Sequence, residues 1–438
     1  MDAARREMAH LYRRAGFGAT PAELDAALAQ GYDATVERLL WPETVPDDAA
    51  EARLAALDLD PRRLDGVRLA WLTRMLFTAR PLQEKMVLFW HGHLTSAANK
   101  VGGRRAAPLL EAQLALYREH ALGDWRELLR GVSRDPAMLA YLDNRLNRKG
   151  APNENYAREL MELFTLGIGN YSEDDVKEAA RAFTGWTTGR DGVFAVNAGQ
   201  HDAGPKTVLG RDGTLDGDDV LDAILDQPAA ATYLARKLFA YLAYDDPEPA
   251  VVERLAATFR DSGYDLRALV GAILRSPEFR SERAYRASIK SPVELAIGSL
   301  KLLGADAVPP DLPTVVQRMG QDLLNPPSVK GWDGGPAWIS AMTLLERFNY
   351  ANRLTTARDD DGPAYLDPAT LRTAYPRPEQ LVDYLAERLL DGELPPASRA
   401  ALLEYASGAD LAADPDATDG KVRGLAYLVM ISPLYQLN

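Results

Sequence analysis

Proline stands at or near the start of one apolar-periodic run after another: Pro21, Pro61, Pro81, Pro136, Pro249, Pro292, Pro313, Pro336, Pro378 and Pro396. A helix tolerates proline in its first turn, where the missing N–H would have had no partner. Thr20-Pro21-Ala22-Glu23 reads as a full capping box, and Ser172-Glu173-Asp174-Asp175 opens another helix that runs to Phe183. Further amphipathic runs are expected at Asp33–Leu40, Pro61–Ala79, Pro81 to about His91, Arg105–His120, Trp125–Val132 and Pro136–Leu142, and again from Asp218, Ala229 and Leu266 onward. The pattern breaks between Gly185 and Gly213, where Val193–Val196 and Lys206–Leu209 are short β-prone pieces among glycines. The expected fold is therefore mainly α, a multi-helical bundle with a small β-hairpin or loop excursion near residues 190–212. We expect a single helical domain, with room for two lobes (1–189 and 216–438) joined by 190–215. Asp359–Gly362 and Ala409–Gly420 read as surface loops.

Composition narrows the chemistry. A formal net charge of −13 over 438 residues argues against nucleic acid as a partner, because phosphate binding needs clustered Lys and Arg. No apolar run approaches the roughly 20 residues needed to span a bilayer. No secretory signal is visible after Arg5-Arg6, so the expected location is cytoplasmic, with export the alternative if a leader has been removed. Cysteine is absent, which excludes thiolate nucleophiles, iron–sulfur clusters and Cys-based zinc sites. A metal, if bound, would rest on nitrogen and oxygen ligands.

The chemistry-bearing residues fall in a few blocks. Asn153–Gly167 reads as one helix of about four turns, with Tyr156, Leu160, Leu163 and Phe164 on a broad apolar face. Asn155, Glu159 and Glu162 share a second, narrow stripe with Leu166, which points to burial of two carboxylates. The same helix also carries Glu154, Arg158 and Glu162 at four-residue spacing, an ordinary ion-pair ladder. His91-Gly92-His93 ends a helix; Gly92 could stop it there and let both imidazoles turn inward, with Glu84 on the face of His91. In the glycine-rich excursion His201 and Asp202 offer a nitrogen and an oxygen, and Lys206 could meet an anion; a turn with Asp as local cap is the plainer reading. Gly331-Trp332-Asp333-Gly334-Gly335-Pro336-Ala337-Trp338 places two tryptophans around a tight turn, read as packing more than as a pocket rim. Serine-hydrolase elbows, phosphate-binding loops, His-Glu-x-x-His and dinucleotide fingerprints are all absent.

His10–Gly18, Leu88–His93, Asn153–Gly167, Ala182–Trp186 and His201-Asp202 with Lys206–Gly210 occur in the order found in the bacterial family catalogued as domain of unknown function 1800, which the chain resembles nearly end to end. The resemblance implies little chemistry. It implies that the His and Glu blocks belong to the family's own pattern, and it suggests a protein partner of sulfatase-like type.

Taken together, these residues lead us to expect a metal-dependent enzyme. Its metal ligands would be His91, His93, Glu159, Glu162 and His201, with Glu159, Glu162, Asp202 and Lys206 as catalytic groups, and Asp202 or Glu84 orienting an imidazole. Iron is the favoured ion, with manganese, zinc or copper as alternatives. A non-haem iron-type oxidoreductase acting on a small-molecule or peptide substrate leads, ahead of a zinc- or manganese-dependent hydrolase. The rival is a non-catalytic helical protein that binds a partner, with Glu159 and Glu162 in salt bridges to Arg158 and Arg181.

Overall fold

The computed structural model describes residues 3–103, 106–357, 365–407 and 415–438. Helix accounts for 64% of the chain, and strand is confined among the described residues to two antiparallel hairpins. β1 (Trp186–Thr188) pairs with β2 (Phe194–Val196), and β3 (Lys206–Val208) with β4 (Arg211–Gly213). The two β-prone pieces thus become one strand of each hairpin. The second turn places Leu209 and Gly210 at φ 51° and 82°, the left-handed pair a two-residue hairpin turn requires. The Asp175 carboxylate accepts from the Leu209 N–H at 2.7 Å and fixes that turn.

The buried apolar residues form one continuous cluster from Met8 to Tyr435. The helix Pro81–His93 lies at its centre. Met86, Val87, Leu88 and Phe89 point to successive directions around the helix axis, and all are buried, as expected of a helix packed on every side. Leu64–Phe77, Ala106–Glu119 and Tyr32–Leu40 surround it. Gly217–Leu225 and then Pro228–Leu242 follow the second hairpin, and the helix Ala3–Arg14 packs its last turn against the end of Pro228–Leu242.

Several local expectations change. Gly92 does not stop the His helix, which runs through His93. The Asn153–Gly167 segment is not one regular helix: Asn155–Glu159 is α-helical and Leu160–Thr165 is a π turn. The wider turn is visible in the Thr165 hydroxyl, which donates to the Leu160 carbonyl at 2.6 Å, and in the Leu166 N–H bonded to the Met161 carbonyl at 2.9 Å. An argument at 100° per residue therefore fails past Glu159, and Leu166 is buried in the core instead of sharing a polar stripe. Pro336 begins only a 3₁₀ turn, Gly335–Trp338; the following α-helix starts at Ala341 behind a Ser340 cap. Of the expected loop Ala409–Gly420, residues 415–420 belong to the helix Pro415–Met430, and 409–414 lie outside the described residues, as does Asp359–Gly362. A helix not anticipated, Pro368–Ala374, is capped by the Asp367 carboxylate.

Candidate functional site

The two histidines of the central helix are both buried, and each spends one ring nitrogen on a backbone group of another segment. His91 Nε2 accepts from the Leu324 N–H at 3.0 Å, which leaves the proton on Nδ1; its ring sits edge-on between Trp71 and Trp332. His93 Nε2–H donates to the Phe164 carbonyl at 2.9 Å, and its ring stacks on Phe89. Neither Nδ1 has a partner among the described residues. Burial pushes the His91 pKa down to about 3 and that of His93 well below the usual imidazole range, so both rings are neutral. Glu84 does not orient His91. Its carboxylate takes the Trp71 indole N–H at 3.0 Å and is gripped by the Arg118 guanidinium at 2.5 and 3.1 Å.

The Glu pair sits half-buried. Glu162 accepts from the Tyr171 hydroxyl at 3.0 Å, while Arg158 pairs with Glu154 and Glu173 and not with Glu162. Burial, and then the neighbouring Glu162 charge, raise the Glu159 pKa. In the hairpin region His201 Nδ1–H donates to the Thr184 carbonyl at 2.9 Å. Asp202 is held by Arg181 at 2.9 and 3.3 Å and orients no imidazole; the guanidinium and the Gly204 N–H lower its pKa to about 2. Lys206 gives its ammonium to the carbonyls of Asp202, Gly204 and Leu215 at 2.5, 3.0 and 2.8 Å, which uses all three donors. Among the described residues, no three His, Asp or Glu side chains come together in a geometry that could hold a metal ion. Of the five expected ligands, His91, His93 and His201 bond to backbone groups and Glu162 to the Tyr171 hydroxyl.

A different set of residues converges. A cleft of about 360 Å³ opens beside the His helix, floored by Leu88, Phe89, Gly92 and His93 and walled by Trp332 and Trp338, which form its rim. Lys237 and Tyr241 of the helix Pro228–Leu242, together with Arg14, Ser291 and Glu294, complete its lining. The tryptophan loop meets the helix at very short range: a Cβ on Gly331 would lie 2.1 Å from the Gly92 carbonyl oxygen, and Gly331 has φ +84°. Only glycine permits that approach, which seats Trp332 against His91.

The two ends of the cleft differ in charge. At one end Glu294 accepts from the Lys85 ammonium, the Ser291 N–H at 2.7 Å and the Asn438 amide at 3.0 Å. Its pKa falls to about 2, because attraction to Lys85 and Arg14 outweighs the opposing effect of burial. Arg14 is buried there too, donating to the carbonyls of Leu242 and Tyr241 at 2.8 Å and of Ala243 at 3.3 Å, the exposed acceptors of a helix end. At the other end stand Lys237 and Lys330. Lys330 pairs with Asp333 at 2.6 Å on the surface; Lys237 has only the Tyr233 ring, 5.3 Å away, and no ion pair among the described residues. Burial and then Lys330 lower its pKa.

Sequence reasoning had reached the cleft floor and the tryptophan rim without joining them. Arg14 lies in the His10–Gly18 block and Glu294 in the Ser291 capping box, but nothing in the sequence around Lys237 marks it. A family model described as a protein of unknown function (DUF1800) matches residues 10–437. No curated protein and no solved structure matches the chain.

Proposed function

Because the chain belongs to DUF1800, a family with no assigned chemistry, its function has to be read from its own residues, and we propose that it binds a small organic molecule in the cleft between the His helix and the tryptophan loop. The observation that carries this reading is convergence: Arg14, His93 and Trp332, from three blocks far apart in sequence, line one cavity. Its aromatic walls, a few polar groups and a volume near the low end of the ligand-site range suit a compact ligand. The neutral His93 is a weak base, so the wall favours recognition over proton abstraction. Tryptophan fluorescence of the full chain, titrated with a panel of small aromatic and aliphatic molecules, tests the reading. Saturable binding that Trp332→Ala weakens at least tenfold supports it, and identical binding in that variant removes the cleft from consideration.

A metal-dependent oxidoreductase built on Glu159 and Glu162 is the second reading, favoured by one observation: Glu159 is half-buried beside a second carboxylate, with its pKa raised. A divalent cation would relieve that repulsion. Elemental analysis of protein purified without chelators, repeated on Glu159→Gln, decides it. Stoichiometric metal lost in the variant supports this reading, and metal unaffected by the substitution overturns it.

A further inference from the structure

We propose that the basic end of the cleft is an anion subsite: Lys237, which has no ion pair among the described residues, receives the carboxylate of a ligand whose planar apolar body lies against Trp332 and Phe89. The inference rests on the cleft being a ligand site and names the class of ligand it takes.

The argument begins with how the other charges are used. Seven ionisable side chains besides the tyrosines line the cavity: Arg14, His93, Lys237, Asp245, Glu294, Lys330 and Asp333. Arg14 is consumed by three carbonyls, and Glu294 by Lys85, Asn438 and the Ser291 N–H. Asp333 is taken by Lys330. Asp245 is exposed, and its charge is felt at Arg14, at the opposite end from Lys237. His93 is neutral. Lys237 is thus left as a half-buried cation with no ion pair among the described residues, whereas Lys330 already has Asp333. A partly desolvated ammonium without a counter-charge is unfavourable in the empty protein and becomes favourable once a carboxylate lies against it.

The neighbouring surfaces supply the rest of the ligand's description. Trp332 lines the same cavity as the two lysines, and Phe89 and His93 are stacked with ring centroids 5.4 Å apart on the floor. A flat, electron-rich wall next to a cationic end matches an aromatic ring carrying a short acidic arm. A fully aliphatic acid would leave the indole face unused, and a large polyanion would exceed the cavity.

Indole-3-acetate, its neutral counterpart tryptophol and its cationic counterpart tryptamine separate the possibilities by isothermal titration against the full chain. Indole-3-acetate is expected to bind about tenfold or more tighter than tryptophol, the scale of one charge-assisted contact, with tryptamine weakest. Lys237→Met keeps most of the side-chain stem and should remove that preference while leaving tryptophol unchanged. Trp332→Ala should weaken all three. Equal binding of the three probes, sensitive to Trp332→Ala, overturns the anion subsite and leaves the cleft a ligand site. Preference for the acid that survives Lys237→Met also overturns it. Absence of binding by all three probes at millimolar concentration overturns the cleft reading and this inference together.

Discussion

His93 donates its Nε2 proton to the carbonyl of Phe164 at 2.9 Å, tying the central helix to the π turn of the Glu-bearing segment. Both partners are buried. His93→Ala would leave the Phe164 carbonyl unmatched and open a void against Phe89, at a cost of about 2–4 kcal/mol. The midpoint of urea unfolding should fall accordingly. A loss below about 0.5 kcal/mol would show that this bond does not hold the π turn in place.

Acid should destabilise the fold earlier than its carboxylates alone would predict. His10, His91 and His93 all have pKa values depressed chiefly by burial. A base with a depressed folded pKa contributes stability that is fully present above its unfolded value, about 6.5, and is lost as pH falls below it. Each such histidine adds a slope of roughly 1.4 kcal/mol per pH unit. Urea midpoints at pH 7.5 and 5.5 check this, and an unchanged midpoint would mean that the imidazoles are charged, or free to become so, in the fold.

Asp135 works in the opposite sense. It caps the helix Pro136–Tyr141 through the Met138 N–H and accepts from Gln113, yet burial raises its pKa to about 7. A carboxyl with a raised folded pKa stabilises the fold below its unfolded value of about 3.8, and that contribution is lost as pH rises toward 7. Asp135→Asn retains a capping oxygen and cannot ionise. It should raise stability above pH 7.5 by up to about 4 kcal/mol and give no gain at pH 4. Thermal melts of both proteins at the two pH values are the measurement, and an equal shift at both would point to packing instead of charge.

Gly331→Ala should displace the tryptophan loop, because the new methyl would collide with the Gly92 carbonyl and force a side chain into a left-handed conformation. We expect a loss of roughly 2–4 kcal/mol and of cleft binding. Gly334→Ala has a glycine-favouring backbone (φ +73°, ψ −170°) but only the Trp338 indole at 4.0 Å, so it should cost about 1–3 kcal/mol and preserve binding. Equal effects of the two substitutions would assign the cost to backbone conformation and not to the close approach.

What could be read in the sequence was whatever depended on neighbours along the chain. Proline and capping residues report the first turn of a helix, so Thr20, Ser172 and Pro292 located their helices correctly. The π turn escaped because it is an exception to the periodicity used to find it. The tryptophan rim was underweighted because its meaning depends on Gly331 meeting Gly92, a contact between segments more than 200 residues apart. The expected His/Glu centre assumed that unusual residues seek one another. In the structure His91 and His93 bond through Nε2 to the Leu324 N–H and the Phe164 carbonyl, backbone groups that no side-chain pattern marks.

Arg14 has a consequence for how the molecule is made. It lies in the helix Ala3–Arg14, but the three carbonyls that receive its guanidinium belong to residues 241–243, and its neighbour Arg13 waits for Asp391. A chain leaving the ribosome at about 5–20 residues per second carries these two arginines for tens of seconds before either can be buried. The N-terminal helix is therefore made early and docked late, and its docking closes the end of the cleft opposite Lys237. Loss of that helix would leave the floor of the cleft standing and one wall never assembled.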